Sequence, residues 1–179
     1  MYFSEEGKGN TEKVVELAIK AARENNIGRI VVASNTGATA RLFLGSGLDI
    51  TCVTHVYGFG LPGTNEMNIK DREELTEKGM KVLTATHVLS GAERCFSSKF
   101  GGINPVEILA NSLRMFGQGV KVCVEISVMA LDSGMIPYGE RIIAVAGTGR
   151  GADTAVILKP AHAKDILSTR IQEIICKPI

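Results

Sequence analysis

Short apolar runs alternate with amphipathic segments along most of this chain. Apolar positions between residues 14 and 22 recur at helical spacing, which predicts a first helix over 11–26. The run that follows, 29–34, is apolar on both faces, as a central parallel strand must be. The same reasoning predicts further helices over 38–44, 66–78 and 105–116, and further strands over 49–54, 81–86 and 141–146.

The segment 121–132 fits two patterns. Every second residue from Val122 to Val128 is β-branched, as in a strand, whereas Gly134 is typical of the end of a helix. The segment is long for a strand, and a parallel strand at 141–146 needs a crossover connection before it. We therefore predict a helix.

The remaining segments carry weaker patterns. Residues 90–102 are predicted to be irregular, and edge strands are predicted over 155–160 and 171–176 with a short helix over 163–168 between them. The alternation of strands and helices predicts an open, mainly parallel α/β sheet with helices on both faces. A chain of 179 residues without a linker or repeat is expected to form one domain, 1–179.

Charge and cysteine content narrow the classes of function. The chain has 20 Lys+Arg against 19 Asp+Glu, interleaved from end to end, so we expect neither a nucleic acid nor a membrane surface as partner. It begins without a signal peptide and has no apolar run of the length that spans a bilayer, so we expect a cytoplasmic protein. The four cysteines are widely spaced, which disfavours a zinc cluster or a disulfide framework.

A Gly-rich loop follows the predicted strand 29–34. In an open parallel sheet, ligands bind beyond the carboxyl ends of the strands. Gly37 lets the backbone approach a ligand closely. The hydroxyls of Ser34, Thr36 and Thr39, with free amides at a helix start, can surround a phosphate. The loop is not a Walker loop, because no Gly-Lys-Ser/Thr follows. An ordinary capped turn is the alternative.

A second Gly-rich loop follows the predicted strand 141–146. Its three glycines match a dinucleotide fingerprint only in spacing, since Ala152 holds the last small position and no clear helix follows. The glycines could still form an anion nest, and Arg150 could contact a phosphate through two hydrogen bonds. Alternatively, Arg150 and Asp153 could pair with each other.

The tripeptide Thr-His-Val occurs at 54–56 and again at 86–88, at the ends of two predicted strands. Two imidazoles at one sheet edge could bind a metal or transfer protons, and Glu93 is the nearest carboxylate in sequence after His87. A hydrogen bond to a ligand or to a loop carbonyl is the simpler role, and we expect no metal. No nucleophile motif is present, which disfavours covalent hydrolysis.

The order of these motifs resembles the carboxyl-terminal α/β domain of pyruvate kinase. Residues 29–40 are similar to that domain's strand and Thr/Ser-rich loop, and residues 141–151 to its last strand and Gly-rich loop. In allosteric pyruvate kinases those two loops hold a phosphorylated sugar effector. Phosphoryl transfer belongs to a separate barrel, with metal-ligating carboxylates and a phosphate-binding Lys, so the resemblance implies no kinase activity here.

A closer resemblance, over nearly the whole chain, is to free-standing domains of this kind, largely archaeal and bacterial. It rests on residues 32–34, 87–94, 121–126 and 150–155. That family's association with flavin mononucleotide (FMN) implies FMN as the cofactor, with both loops on the phosphate and the two histidine segments near the ring. The candidate FMN-binding residues are Ser34, Asn35, Thr36, Gly37, Ala38, Thr39, Thr54, His55, His87, Ser90, Gly91, Gly147, Thr148, Gly149, Arg150, Gly151, Ala152, Asp153 and Thr154.

We therefore expect a domain that binds FMN or another phosphorylated metabolite. One alternative is a flavin-dependent reductase, which would need a pocket for a second substrate beside the flavin. Another is a regulatory or assembly module that senses a phosphorylated metabolite, and a homo-oligomer is compatible with each.

Overall fold

A computed structural model describes residues 1–179. The strands are β1 (Tyr2–Phe3), β2 (Arg29–Ala33), β3 (Asp49–Val53), β4 (Lys81–Leu83), β5 (Ile142–Ala146), β6 (Thr154–Lys159) and β7 (Arg170–Pro178). The α-helices are α1 (Thr11–Glu24), α2 (Ala38–Arg41), α3 (Ile69–Glu77), α4 (Glu93–Phe100), α5 (Pro105–Arg114) and α6 (Gln118–Asp132). Short 3₁₀ helices lie at Lys8–Asn10 and Ala163–Ser168.

All seven strands belong to one sheet, in the order β1-β7-β6-β5-β2-β3-β4. Every pairing is parallel except the two made by β6, so β6 alone runs against the other strands. The strands β2, β3, β4 and β5 therefore end at the same edge of the sheet. This confirms the predicted open, mainly parallel α/β fold.

Helices cover both faces of the sheet. Since successive strand residues point to opposite faces, each central strand contributes to two buried clusters. Ile30 and Val32 of β2 belong to the buried cluster that includes α1, whereas Val31 belongs to the cluster that includes α6. In β5, Ile143 joins the first cluster and Ile142 the second. This two-sided burial explains why the central strands are apolar at every position. No helix combines the length and the apolar character needed to cross a bilayer.

The prediction of a helix over 121–132 is confirmed by α6. Twelve of its fifteen residues are buried, so it is packed on nearly all sides. A helix buried in this way lacks a polar stripe, which is why its sequence showed no clear helical period.

Two predictions about elements were wrong, and a third holds only in part. Neither β6 nor β7 is an edge strand: β6 lies between β5 and β7, and the edges of the sheet are the short strands β1 and β4. The segment predicted to be irregular contains α4, none of whose residues is buried, so no core-facing period marks it. The helix predicted over 38–44 is the single turn α2, and further turns complete the segment.

Candidate functional site

A cavity of about 970 Å³ lies at the sheet edge where β2, β3 and β5 end. Both Gly-rich loops line it, the first through residues 34–36, 38 and 39 and the second through 147 and 149–151. The remaining wall comes from Lys8, Gly9, Thr11, Glu12, Ala33, Leu42, His55, Phe59, Gln118 and Val122. The fold thus brings together two loops that are far apart in sequence.

Ser34 shapes the first loop. It follows β2 directly and is buried, and its Oγ accepts hydrogen bonds from the amides of Thr39 at 3.1 Å and Ala40 at 3.4 Å. These bonds satisfy the first amides of α2 and fix the loop to the end of the strand. The amides of Asn35 and Thr36 donate to no acceptor in the protein. The loop therefore presents free backbone donors to the cavity, which is what an anion requires.

Gly37 cannot be replaced without strain. Its φ of 85° lies in the left-handed region, and a Cβ at this position would stand 2.8 Å from Cδ1 of the buried Leu75. The glycine lets the loop pass directly over α3. A Gly37→Asp variant would therefore disturb the fold as well as the site.

Asp153 supports the second loop from behind. It is fully buried, and its carboxylate accepts hydrogen bonds from the amide of Gly7 at 2.8 Å, the amide of Thr148 at 3.0 Å and the hydroxyl of Thr154 at 2.7 Å. Asp153 thus binds the N-terminal segment to the loop. The alternative in which it pairs with Arg150 is wrong, because its oxygens are already occupied.

The N-terminal segment also packs closely against Gly151. The Thr11 hydroxyl accepts a hydrogen bond from the amide of Ala152 at 3.0 Å and donates one to the Lys8 carbonyl at 2.7 Å. A Cβ on Gly151 would stand 2.4 Å from Thr11 Oγ1. These contacts bring Lys8 into the wall of the cavity.

Glu66 connects the cationic and aromatic walls of the cavity. Nη2 of Arg150 lies 3.4 Å from Oε1 of Glu66, and the Arg150 side chain is 67% exposed. Oε2 of Glu66 is hydrogen-bonded to Nδ1 of His55. The His55 ring lies against the Phe59 ring, with 3.8 Å between centroids. The cavity therefore has a polar, cationic side and a side built from flat rings.

A smaller pocket of about 180 Å³ adjoins this cavity and shares part of its wall. His87 and Thr54 line it, and Nε2 of His87 accepts a hydrogen bond from the amide of Val56 at 3.2 Å. Burial lowers the pKa of His87 below its ordinary value, although the nearby Glu125 carboxylate opposes this shift. His87 is therefore a neutral imidazole at pH 7, with its proton on Nδ1.

The floor of the small pocket contains a buried ion pair on α6. Nζ of Lys121 lies 2.5 Å from Oε2 of Glu125, and both side chains are 6% exposed. Oε1 of Glu125 accepts a hydrogen bond from the amide of Leu89 at 3.0 Å. Two opposite charges one turn apart in an otherwise apolar segment were the sequence signal for this pair, which the sequence analysis missed.

The candidate residues divide into those that line the two spaces and those that support them. Ser34, Asn35, Thr36, Ala38, Thr39, His55, Gly147, Gly149, Arg150 and Gly151 line the cavity, and Asn35, Thr54, His55, His87 and Ser90 line the small pocket. Gly37, Gly91, Thr148, Ala152, Asp153 and Thr154 line neither. Glu93, considered above as a metal ligand, also lines neither, and no group of three or more His, Cys, Asp or Glu is placed to hold a metal ion.

Comparison with known proteins gives a family match over most of the chain. The family model described as pyruvate kinase, alpha/beta domain, matches residues 12–158. A pyruvate kinase from Cryptosporidium parvum is similar at 17% identity over 82% of this chain and 22% of that chain, with a TM-score of 0.44. The Cryptosporidium parvum pyruvate kinase in complex with ADP gives 18% identity, 82% and 22% coverage and a TM-score of 0.42. The chain thus spans 22% of the length of these pyruvate kinases.

Proposed function

Since the chain belongs to the pyruvate kinase α/β-domain family, we propose that its cavity binds a phosphorylated small molecule, and specifically FMN. The observation that carries this proposal is that both Gly-rich loops line the same cavity. Each loop follows a parallel strand, at the sheet edge where α/β proteins bind ligands.

The polar side of the cavity suits a phosphate. Asn35 and Thr36 offer amides without acceptors, and Thr36 adds a hydroxyl. Arg150 and Lys8 supply positive charge, so their contacts with a phosphate would be charge-assisted hydrogen bonds. To contact a phosphate, the Arg150 guanidinium would have to leave only one carboxylate, that of Glu66 at 3.4 Å.

The aromatic side of the cavity suits a flat ring. Phe59 and His55 line it with ring side chains, and Val122 and Leu42 add apolar surface. The volume of about 970 Å³ is at the upper end of the roughly 300–1,000 Å³ of ligand pockets. FMN combines a phosphate with a flat ring system, and when bound it would supply redox chemistry. In this arrangement the loops hold the phosphate, and His55 and Phe59 orient the ring.

Absorbance and calorimetry test the proposal. Protein purified without added cofactor should show a visible flavin spectrum or, if it is isolated empty, should bind FMN in a calorimetric titration. If the protein does not bind FMN but binds a sugar phosphate tightly, the ligand of the cavity is a sugar phosphate and not FMN. Failure to bind any phosphorylated compound would overturn the proposal.

We also propose that this chain does not transfer a phosphoryl group from phosphoenolpyruvate to ADP. The family match covers the α/β domain, whereas the resemblance assigns the chemistry of pyruvate kinase to its barrel. Pyruvate formation above that of a heat-inactivated sample would contradict this.

A further inference from the structure

The small pocket beside the cavity contains hydrogen-bond donors that nothing in the protein uses. Lys121 is an ammonium with three donors, and its Nζ donates only to Glu125. The Nδ1 proton of His87 and the hydroxyl of Ser90 make no hydrogen bond within the protein. The guanidinium of Arg94 has neither a hydrogen-bond partner nor a carboxylate within 4.0 Å. These four groups all line the same pocket.

The Glu125 carboxylate and the Thr54 hydroxyl, which both line the pocket, are already occupied. Both oxygens of Glu125 are bonded, to Lys121 and to the amide of Leu89. The hydroxyl of Thr54 is shared with Thr84, at 2.6 Å. A ligand in this pocket therefore meets free donors and no free carboxylate oxygen, which favours a group with two or more acceptor oxygens.

The charges favour an anion. Lys121 and Glu125 compensate each other, and His87 is neutral. Arg94 remains, together with Arg114 at the rim, which is hydrogen-bonded to Gln118 and to Asn111. The pocket therefore has a net positive charge.

Size and polarity distinguish a carboxylic acid from an inorganic anion. Apolar side chains also line the pocket, from Val53, Val122, Ile126 and Met129. Its volume of about 180 Å³ is that of about six water molecules. An inorganic phosphate is polar on every side, whereas a short carboxylic acid has a carbon chain for these apolar walls.

We propose that the small pocket is a binding site for the carboxylate of a short organic acid, held by Arg94, Lys121, His87 and Ser90. The site extends the proposed function, because the pocket shares the walls formed by His55 and Phe59 with the FMN cavity. An acid bound here would lie beside the flat ligand, in the place of a second substrate.

Nuclear magnetic resonance titration tests this site with propionate as the probe and propionamide as its neutral isostere. The backbone amide signals of Leu89 and Ser90 report on the pocket directly. We expect saturable shifts with propionate, and binding of propionamide at least 10-fold weaker, because the amide lacks the charge that Arg94 recognises.

Two variants identify the residues, and one serves as a control. Arg94→Gln should weaken propionate about 10-fold or more, whereas Arg23→Gln, on the exposed side of α1, should leave the affinity unchanged. Lys121→Met is made together with Glu125→Gln, because the single change would leave a buried carboxylate without a partner. If the double variant does not fold, Arg94→Gln and propionamide still decide.

The outcomes separate this site from the FMN site. Arg150→Ala should weaken FMN and leave propionate unchanged, and Arg94→Gln should weaken propionate. Propionate binding without FMN binding would reject only the proposed function, and FMN binding without propionate binding would reject only the carboxylate site.

Equal affinity for propionate and propionamide, or an unchanged propionate affinity in Arg94→Gln, would overturn the carboxylate site. The carboxylate site would also be overturned if inorganic phosphate competes with propionate, provided that Arg94→Gln loses phosphate binding and Arg150→Ala keeps it.

Discussion

Asp153→Ala is expected to be one of the most damaging single changes near the cavity. The carboxylate accepts hydrogen bonds from the amides of Gly7 and Thr148, at 2.8 Å and 3.0 Å, and from the hydroxyl of Thr154. The hydroxyl can turn to another acceptor, but the two amides cannot. A donor left unsatisfied costs about 1–3 kcal/mol, so the two amides predict a loss of about 2–6 kcal/mol in the free energy of unfolding.

Asp153→Asn separates the loss of acceptors from the loss of charge. The asparagine oxygen can still accept from both amides, and its NH₂ group can donate to the Thr154 hydroxyl. Only the charge assistance is lost, so we expect a cost of about 1 kcal/mol. FMN affinity should fall in Asp153→Ala, because the second loop loses its support, and should be largely kept in Asp153→Asn.

Urea unfolding of the wild type and the two variants measures these differences. Asp165→Ala, at an exposed position without a side-chain hydrogen bond, is the control and should change the free energy of unfolding by less than about 0.5 kcal/mol. If the free energy of unfolding of Asp153→Ala remains within about 1 kcal/mol of the wild type, or if Asp153→Asn is as destabilising as Asp153→Ala, the Asp153 oxygens do not support the loop in this way.

Gly151→Ala should lower the melting temperature more than Gly149→Ala. Both glycines have positive φ, but only at Gly151 would a new Cβ stand 2.4 Å from Thr11 Oγ1, so equal losses of melting temperature would count against this close contact. A thiol reagent should modify one cysteine in the native protein and four after denaturation, because Cys95 alone is exposed and burial raises the pKa of the other three thiols. Rapid labelling of native Cys95→Ser would contradict this. The free energy of unfolding should fall as the pH is lowered through about 6.5, because burial depresses the pKa of folded His87 and the unfolded state then binds more protons. His87→Gln should make the free energy of unfolding depend less on pH, and an unchanged pH dependence would show that other groups cause it.

The sequence predicted the sheet and the two loops because their signals are local. The run 29–34 is apolar at both faces and ends in a polar, Gly-rich turn, and the same holds for 141–146. Even α6 could be predicted, although its alternation is that of a strand, because a parallel strand requires a crossover connection that brings the chain back to the edge where the strands begin.

The parts that could not be predicted depend on contacts between distant residues. Nothing in the sequence near Lys8 marks it as a cavity residue: it is placed there by the bond from Gly7 to Asp153, 146 positions away. The strand β1 has two residues, too few for a pattern, and exists because β7 offers it an edge. Phe59 lies in an apolar loop, and its ring is brought against the His55 ring by the fold and not by any local pattern.

Calorimetric titration of FMN and riboflavin into the wild type and Arg150→Ala tests most directly whether the two Gly-rich loops hold the phosphate of FMN. Riboflavin lacks the phosphate, so it should bind much more weakly to the wild type and be nearly indifferent to Arg150→Ala. The variant should bind FMN about 10-fold more weakly, near the lower end of the range for a charge-assisted contact, because Arg150 is exposed and gives up its contact with Glu66. If FMN and riboflavin bind the wild type equally, or if Arg150→Ala weakens both to the same extent, the loops do not hold the phosphate.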